Sequence, residues 1–337
     1  MIECIPDALT LSASSWNGCP SSNWAELAAK AFASREEAAA EPTVLINVGA
    51  NKGYNAAHFL SLWSHTKQVT TQKWWKAMYD YAHGLNGTSR RFGYLSTSLC
   101  GACGACHTRP PSPHTRTTGQ VHMLELVPAN RRLLRHLCAQ MNVCDIARVH
   151  DYAASNVTRV EPAPDGSATS GVEYKSLAWP KITKHAMRKF DSTVEAIALD
   201  DFMQREKLQR VFTIDIDTEG WDALVLEGMR KTLADHRVTF VEFEYSGKGY
   251  WSPSFSGAEH RSLQKTIAWM YEFGYVCFME AGPHLAPISG PCWNERYERR
   301  KWSNVLCAQD PVALSMLHGM AAHAYKKRMR KGQQLTK

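Results

Sequence analysis

The sequence predicts an α/β protein: a mostly parallel sheet with helices on both faces. Three observations carry this. Apolar, β-branched runs alternate with helix-like segments over about 200 residues, the pattern of repeated strand–helix–strand units. One such run, 43–48, breaks at Gly49-Ala50-Asn51-Lys52-Gly53, and glycine permits the positive φ of a tight strand-to-helix turn. Acidic residues recur where the predicted strands end, the edge at which open α/β sheets hold ligands.

The elements follow in order. Residues 1–42 form a Ser-rich lead-in ending in an Ala-rich helix of high intrinsic propensity. Strand one covers 44–48, and a helix follows over about 54–65, with Ala57, Leu60, Leu62 and Trp63 as its apolar stripe. Residues 64–120 read as a long irregular, Cys-rich insertion. Strand two is 121–126, and the next helix opens with Pro128 in its first turn, where the missing N–H does no harm. "ARVHDYAAS" is strand three, "VEAIALDDFMQREKL" a strand with a short helix, and "RVFTIDID" strand four. "WDALVLEGMRKTLAD" is a helix, "VTFVEFEY" strand five, and "EHRSLQKTIAWMYEFG" a helix stopped by Gly274. "YVCFME" and "SNVLCAQ" close the set. The organisation is a lead-in (1–42), one main domain (43–310) carrying the insertion (64–120), and a basic C-terminal helix or tail (311–337).

Bulk properties narrow the class. With 337 residues, 44% hydrophobic and 21% charged, the chain has material for one large globular core. It has no unbroken apolar run of membrane-spanning length, about 18 residues, and its first residues lack the basic flank and apolar stretch of a signal peptide. Scattered cysteines in apolar runs (Cys138, Cys277, Cys307) read as buried thiols of a reducing compartment. That favours the cytoplasm. Two sequons, at Asn86 and Asn156, fit the secretory pathway if a leader is missing. The net charge of +7 concentrates in the basic run from Lys326 to Lys331. It reads as a solvated helix end rather than a nucleic-acid surface.

The strand ends carry the chemistry. After the glycine turn come Glu125 on strand two, Asp151 and Tyr152 on strand three, Asp215, Asp217 and Glu219 on strand four, and Glu242, Glu244 and Tyr245 on strand five. A carboxylate at the end of strand two can accept both hydroxyls of a ribose. An acidic tract repels phosphates, and G-x-x-x-G is not the G-x-G-x-x-G of dinucleotide folds. S-adenosylmethionine, a sulfonium without phosphate, suits the set better.

"NVGANKGYN", "LELVPANRRLL", "HDYAASN", "ALDDFM" and "IDIDTEGWDALVLEGM" together resemble the FkbM family of S-adenosylmethionine-dependent methyltransferases. The resemblance runs from about Val44 to Tyr245; its most specific pieces are 125–130 and 217–220. It implies a Rossmann-like class I sheet of seven strands with the last antiparallel. It implies a cofactor site of Asn47, Gly49, Asn51, Gly53, Glu125, Asp151, Tyr152, Ala153 and Asp217. Asp217 and Glu219 would stand beside cofactor and acceptor as proton-accepting or orienting groups, and family members methylate hydroxyls on sugars and related metabolites. Tyr245, Tyr250 and Trp251, around the loop after strand five, are candidates to stack on an acceptor ring. Two departures stand out: Asn47 where the family has Asp, and Asp215 where it has Lys. Asp215, Asp217 and Glu219 would share one face of a strand, so a metal, a cationic group or protonation should relieve their repulsion.

The insertion holds Cys100, Cys103, Cys106 and His107, with His114 nearby. This is tight metal-ligand spacing, and structural zinc is the metal expectation. A disulfide or free-thiol loop is the alternative, and the haem-attachment pattern Cys-x-x-Cys-His is a weaker one. The function expected is O-methylation of a sugar, glycan or small-metabolite hydroxyl. A non-catalytic scaffold keeping the fold, and an RNA or protein methyltransferase, are the alternatives.

Overall fold

The computed structural model describes residues 4, 22–39, 41–64, 69–84, 100, 103, 118–163, 192–253 and 261–335. Eight strands form its central sheet: β1 (Thr43–Val48), β2 (Gly119–Leu124), β3 (Ala147–His150), β7 (Val211–Ile216), β8 (Val238–Tyr245), β9 (Val276–Ala281), β10 (His284–Pro287) and β11 (Ser303–Ala308). Their order is β10-β9-β11-β8-β7-β1-β2-β3. β3, β2, β1, β7 and β8 run parallel to one another. β11, last in sequence, is antiparallel to both β8 and β9, as the resemblance implied. The expected count of seven is corrected to eight, because a turn at Gly282 (φ 60°) folds β10 back antiparallel to β9. A second sheet, β4 (Tyr152–Ser155), β6 (Ser192–Ala198) and β5 (Arg159–Ala163), lies beyond β3. The single strand expected over "ARVHDYAAS" therefore breaks at Asp151 and feeds two sheets.

The β1 run TVLINV is buried at all six positions, as a central parallel strand must be. On one face pack α1 (Trp24–Ala39), α2 (Tyr54–Trp63), α3 (Thr71–Gly84), α4 (Pro128–Gln140) and α9 (Pro311–Leu335). Phe32 of α1 sits edge-on to Phe212 and Phe240 of the sheet, and Ala313, Leu317 and Ala321 of α9 are buried in the same core. The lead-in helix and the start of the C-terminal helix are thus parts of the domain core. On the other face lie α5 (Leu199–Arg205), α6 (Asp222–Glu227), α7 (Arg230–Ala234) and α8 (Leu263–Glu272), through Phe202, Leu224, Leu226, Leu233, Ile267 and Met270. The helix expected over "WDALVLEGMRKTLAD" is split after Glu227, because Gly228 packs so closely on Ser155 that a Cβ would lie 2.1 Å from its carbonyl oxygen.

The stretch expected to be irregular contains α3. Trp74, Ala77, Met78 and Tyr81 recur at helical spacing, and Trp74 is fully buried. Among the described residues no helix is long and apolar enough to cross a membrane.

The cysteine expectations need two corrections. Cys277 and Cys307 are cross-strand partners on β9 and β11 and form a disulfide, and Cys4 is bonded to Cys292. Such bonds form and persist in oxidising surroundings, against the reducing compartment inferred from sequence. Cys100 and Cys103 are also disulfide-bonded. Their sulfurs are not thiolates, so the expected zinc set loses two ligands; Cys106 and His107 lie outside the described residues. Cys138 is the buried free thiol foreseen, its pKa pushed up to about 12 by burial.

Candidate active site at the strand ends

The carboxyl ends of β1, β2, β3 and β7 are tied to one another by backbone hydrogen bonds. Gly49 N–H donates to the Leu124 carbonyl (2.9 Å), Glu125 N–H to the His150 carbonyl (3.2 Å), and Asp217 N–H to the Val48 carbonyl (3.0 Å). Glu125 clamps the glycine turn. Its Oε2 accepts from Asn51 N–H at 2.7 Å, its Oε1 from Val127 N–H at 2.7 Å, and the Asn130 side chain adds a third bond. Burial pushes its pKa up, and these donors pull it back. The Glu-x-x-Pro-x-Asn spacing thus has a structural reason: Pro128 starts α4 so that Asn130, two residues on, reaches back to the acid.

The glycines are fixed by crowding as well as by φ. Gly49 (φ 76°) approaches the next loop so closely that a Cβ would lie 1.9 Å from the Asp217 carbonyl oxygen. At Gly53 (φ 75°) a Cβ would meet Leu134 at 2.7 Å and Trp74 at 2.9 Å. Between them Asn51 also takes a left-handed φ of 46°. Asn47 Oδ1 and Asn51 Oδ1 are buried and have no hydrogen-bond partner among the described residues. Two such acceptors, one near the end of β1 and one in the turn after it, suit a ligand that brings hydrogen-bond donors.

The loop after β7 holds the next acids. Asp217 is solvent-exposed, although many protein atoms stand around its carboxyl. That enclosure raises its pKa well above normal, Glu219, Asp222 and Asp215 add repulsion, and Lys248 opposes them. Glu219, at φ 55°, pairs with Lys248 at 2.5 Å. Asp222 is fully buried and accepts from Thr218 N–H (3.1 Å) and Gly220 N–H (3.0 Å), fixing the loop from the start of α6. Glu244 stands nearby. Burial and then repulsion from Asp217, Asp222 and Glu219 bring its pKa to about 9.

Asp215 does not join Asp217 and Glu219 in one metal-holding face. It turns to the α1 side of the sheet, beside its β1 register partner Asn47, whose Nδ2 donates to it at 2.8 Å; Asn55 Nδ2 donates to the same oxygen. Glu242, its β8 register partner, accepts from Asn304 (2.8 Å), and Glu280 accepts from Ser22. Burial first, and mutual repulsion second, bring Asp215 and Glu242 to about 8 and Glu280 to about 7. Protonation is therefore what relieves the crowding at Asp215.

Asp151 is half exposed and bonds to Arg135 and, at 3.4 Å, to Arg131 Nε. Tyr152 is partly exposed, its ring parallel to that of His150, and Ala153 is buried among Val194, Ala196 and Leu126. The expected aromatic acceptor residues are corrected. Trp251 is fully buried, stacked on Phe243 and edge-on to Tyr245; Tyr250 is buried edge-on to Trp221; the Tyr245 hydroxyl is bonded to Glu298 and Arg300 N–H. A short 3₁₀ turn (Gly249–Trp251) drives these rings into the core. Sequence reasoning missed Asn55, Asp222, Arg131 and Lys248. A signal existed for Asp222, an acid at a helix start five residues after Asp217, and for Asn55, in the first turn after the glycines.

The model of the methyltransferase FkbM domain matches residues 102–277, just over half of the chain. The chain belongs to the FkbM methyltransferase family. The matched stretch contains Glu125 and the Asp217 loop; the glycine turn precedes it. A crystal structure of methyltransferase FkbM from Methylobacillus flagellatus KT is similar at 13% identity and a TM-score of 0.37, covering 79% of this chain and 43% of that one. This FkbM chain thus spans less than half the length of that relative. No curated protein matches it.

Proposed function

We propose that this chain is an S-adenosylmethionine-dependent O-methyltransferase acting on a hydroxyl of a sugar, glycan or small metabolite. The observation that carries the reading is the 2.7 Å bond from Asn51 N–H to Glu125, which joins the glycine turn to the acid just after β2. The donor set fits the cofactor. With three donors on its roughly four acceptor positions, Glu125 keeps one for a ribose hydroxyl, and the unpartnered Asn47 and Asn51 oxygens suit an ammonium group. Tyr152 and Ala153, one step along from the His150 carbonyl that holds Glu125, suit the adenine edge.

When bound, S-adenosylmethionine supplies a methyl group already activated on sulfonium. The protein then has to align the acceptor and take its proton. Asp217 is the group to take it. Its raised pKa makes the ionised carboxylate a stronger base, populated increasingly as pH rises. Lys248 holds Glu219 beside it to orient the acceptor. Asn47 and the inward-turned Asp215 favour a second reading, a scaffold that keeps the fold without the chemistry. Calorimetric titration with S-adenosylmethionine separates the two. Binding that is lost in Glu125→Ala, with methyl transfer from labelled donor to a panel of glycans and hydroxylated metabolites, supports the enzyme. No binding by the parent chain sinks it.

A further inference from the structure

Beside the proposed cofactor residues, at the β2–β3 edge, three ligating side chains converge. His122 of β2 is fully buried, and its Nδ1 lies 3.0 Å from Nε2 of His150, the last residue of β3. Glu206, just after α5, places Oε2 3.8 Å from His122 Nδ1 and Oε1 3.8 Å from His150 Nδ1. The imidazole planes differ by 9°, and the edge of Phe202 closes the site against both. Burial is the first cause lowering the pKa of both rings, His150 and Arg148 adding to it at His122 and Glu206 opposing it at His150. Arg148 pairs with Glu206 Oε2 at 3.3 Å.

We propose that His122, His150 and Glu206 form a binding site for a divalent transition-metal ion of the zinc class. Two ligand atoms on one tetrahedral ion, each about 2.1 Å from it, sit roughly 3.4 Å apart. Two of the pairs, at 3.0 and 3.8 Å, bracket that spacing, and the three ligand atoms all lie within 4.8 Å of one another, so rotations of the three side chains would complete the set. His122 would ligate through Nδ1 and His150 through Nε2. Gln120 lies 3.1 Å from the other nitrogen of His122. With its amide oxygen turned inward it accepts that N–H and fixes the tautomer, as outer partners of metal-bound histidines commonly do. Glu206, partly exposed, leaves an entry path and an open position for water. The ion would pin the end of β3, whose His150 carbonyl holds Glu125 in place. The role assigned is structural.

The test uses the full chain carrying Cys144→Ser, which removes the exposed free thiol. The protein is stripped with a chelator and dialysed against Zn2+ or Co2+. Elemental analysis should find about one ion per chain, Co2+ should give the visible absorption of a low-coordinate nitrogen–oxygen site, and melting should shift upward. Glu206→Gln, at a partly exposed position outside the core, and His150→Gln should each weaken binding by at least about tenfold. Far-UV circular dichroism checks that each variant is folded; if His150→Gln is not, Glu206→Gln decides. Absence of a stoichiometric ion overturns the proposal. So does an ion retained at parental affinity in Glu206→Gln, which would place it elsewhere, such as the cysteine-containing insertion. S-adenosylmethionine binding is measured separately by calorimetry on the same proteins, so a failure of either reading is seen on its own.

Discussion

Replacing Asp215 by Asn should stabilise the protein increasingly as pH rises. Asp215 is buried, and its pKa is raised from 3.8 to about 8. A carboxyl with a folded pKa above its unfolded value holds a proton in the native state that the unfolded chain releases. Stability therefore falls as pH rises between the two values, and the full cost remains above the higher one. A tenfold change in proton affinity between the two states is worth about 1.4 kcal/mol. From pH 6 to pH 9 this one group should cost roughly 3 kcal/mol, most of it between pH 6 and 8. The amide oxygen of the variant can keep accepting from Asn47 and Asn55 and carries no charge. It should also ease Glu280, which Asp215 repels. Denaturant titrations of parent and Asp215→Asn at pH 6 and pH 9, without ligand, make the measurement. The variant's advantage over the parent should be about 3 kcal/mol larger at pH 9 than at pH 6. An advantage that does not grow between the two, or a variant less stable than the parent at pH 9, would refute the account of Asp215 as a buried, proton-holding acid.

Glu125→Gln removes the charge that accepts two backbone N–H groups, each charge-assisted bond being worth about 1.5–3 kcal/mol; calorimetry should show S-adenosylmethionine affinity down at least about tenfold, and an unchanged constant would count against the clamp. Gly49→Ala puts a Cβ 1.9 Å from a backbone oxygen at φ 76°, so thermal melts should show a loss of several kcal/mol, beyond the roughly 1 kcal/mol of an ordinary glycine replacement. The Cys277–Cys307 bond closes a loop of sequence separation 30; Cys277→Ala with Cys307→Ala should cost about 3–4 kcal/mol by loop-closure entropy, and a denaturation midpoint equal to the parent's would contradict it. If Asp217 takes the acceptor's proton, methyl transfer should increase with pH through the neutral range, and Asp217→Asn should flatten that profile; a parental profile in the variant assigns the proton elsewhere.

Much of the fold was legible because period and punctuation agree. The β1 run and its glycine turn, Pro128 at the start of α4 and Gly274 after α8 each announce themselves by one residue type in one position. Where tertiary contacts decide, the reading failed. The break at Asp151 depends on a second sheet, the split after Glu227 on the carbonyl of Ser155, and β10 on a turn at Gly282. The α3 stripe was readable and was obscured by the glycines and cysteines around it. At the site, Glu125 and the glycine turn came from local pattern. The inward burial of Tyr245, Tyr250 and Trp251 could not, because aromatic residues in a loop look alike whether they face solvent or core. Cysteine spacing likewise does not distinguish ligand from bridge. Cys277 and Cys307 are far apart in sequence and become neighbours only through the β9–β11 register.

That register has a practical side. A thiol pair sealed between neighbouring strands, with a second link joining Cys4 to Cys292, means the folded chain is one covalent species among several. Material made in a bacterial cytosol with its thiols kept reduced would share the sequence and lack these cross-links. Preparations should be checked for thiol content before inactivity is assigned to the wrong substrate.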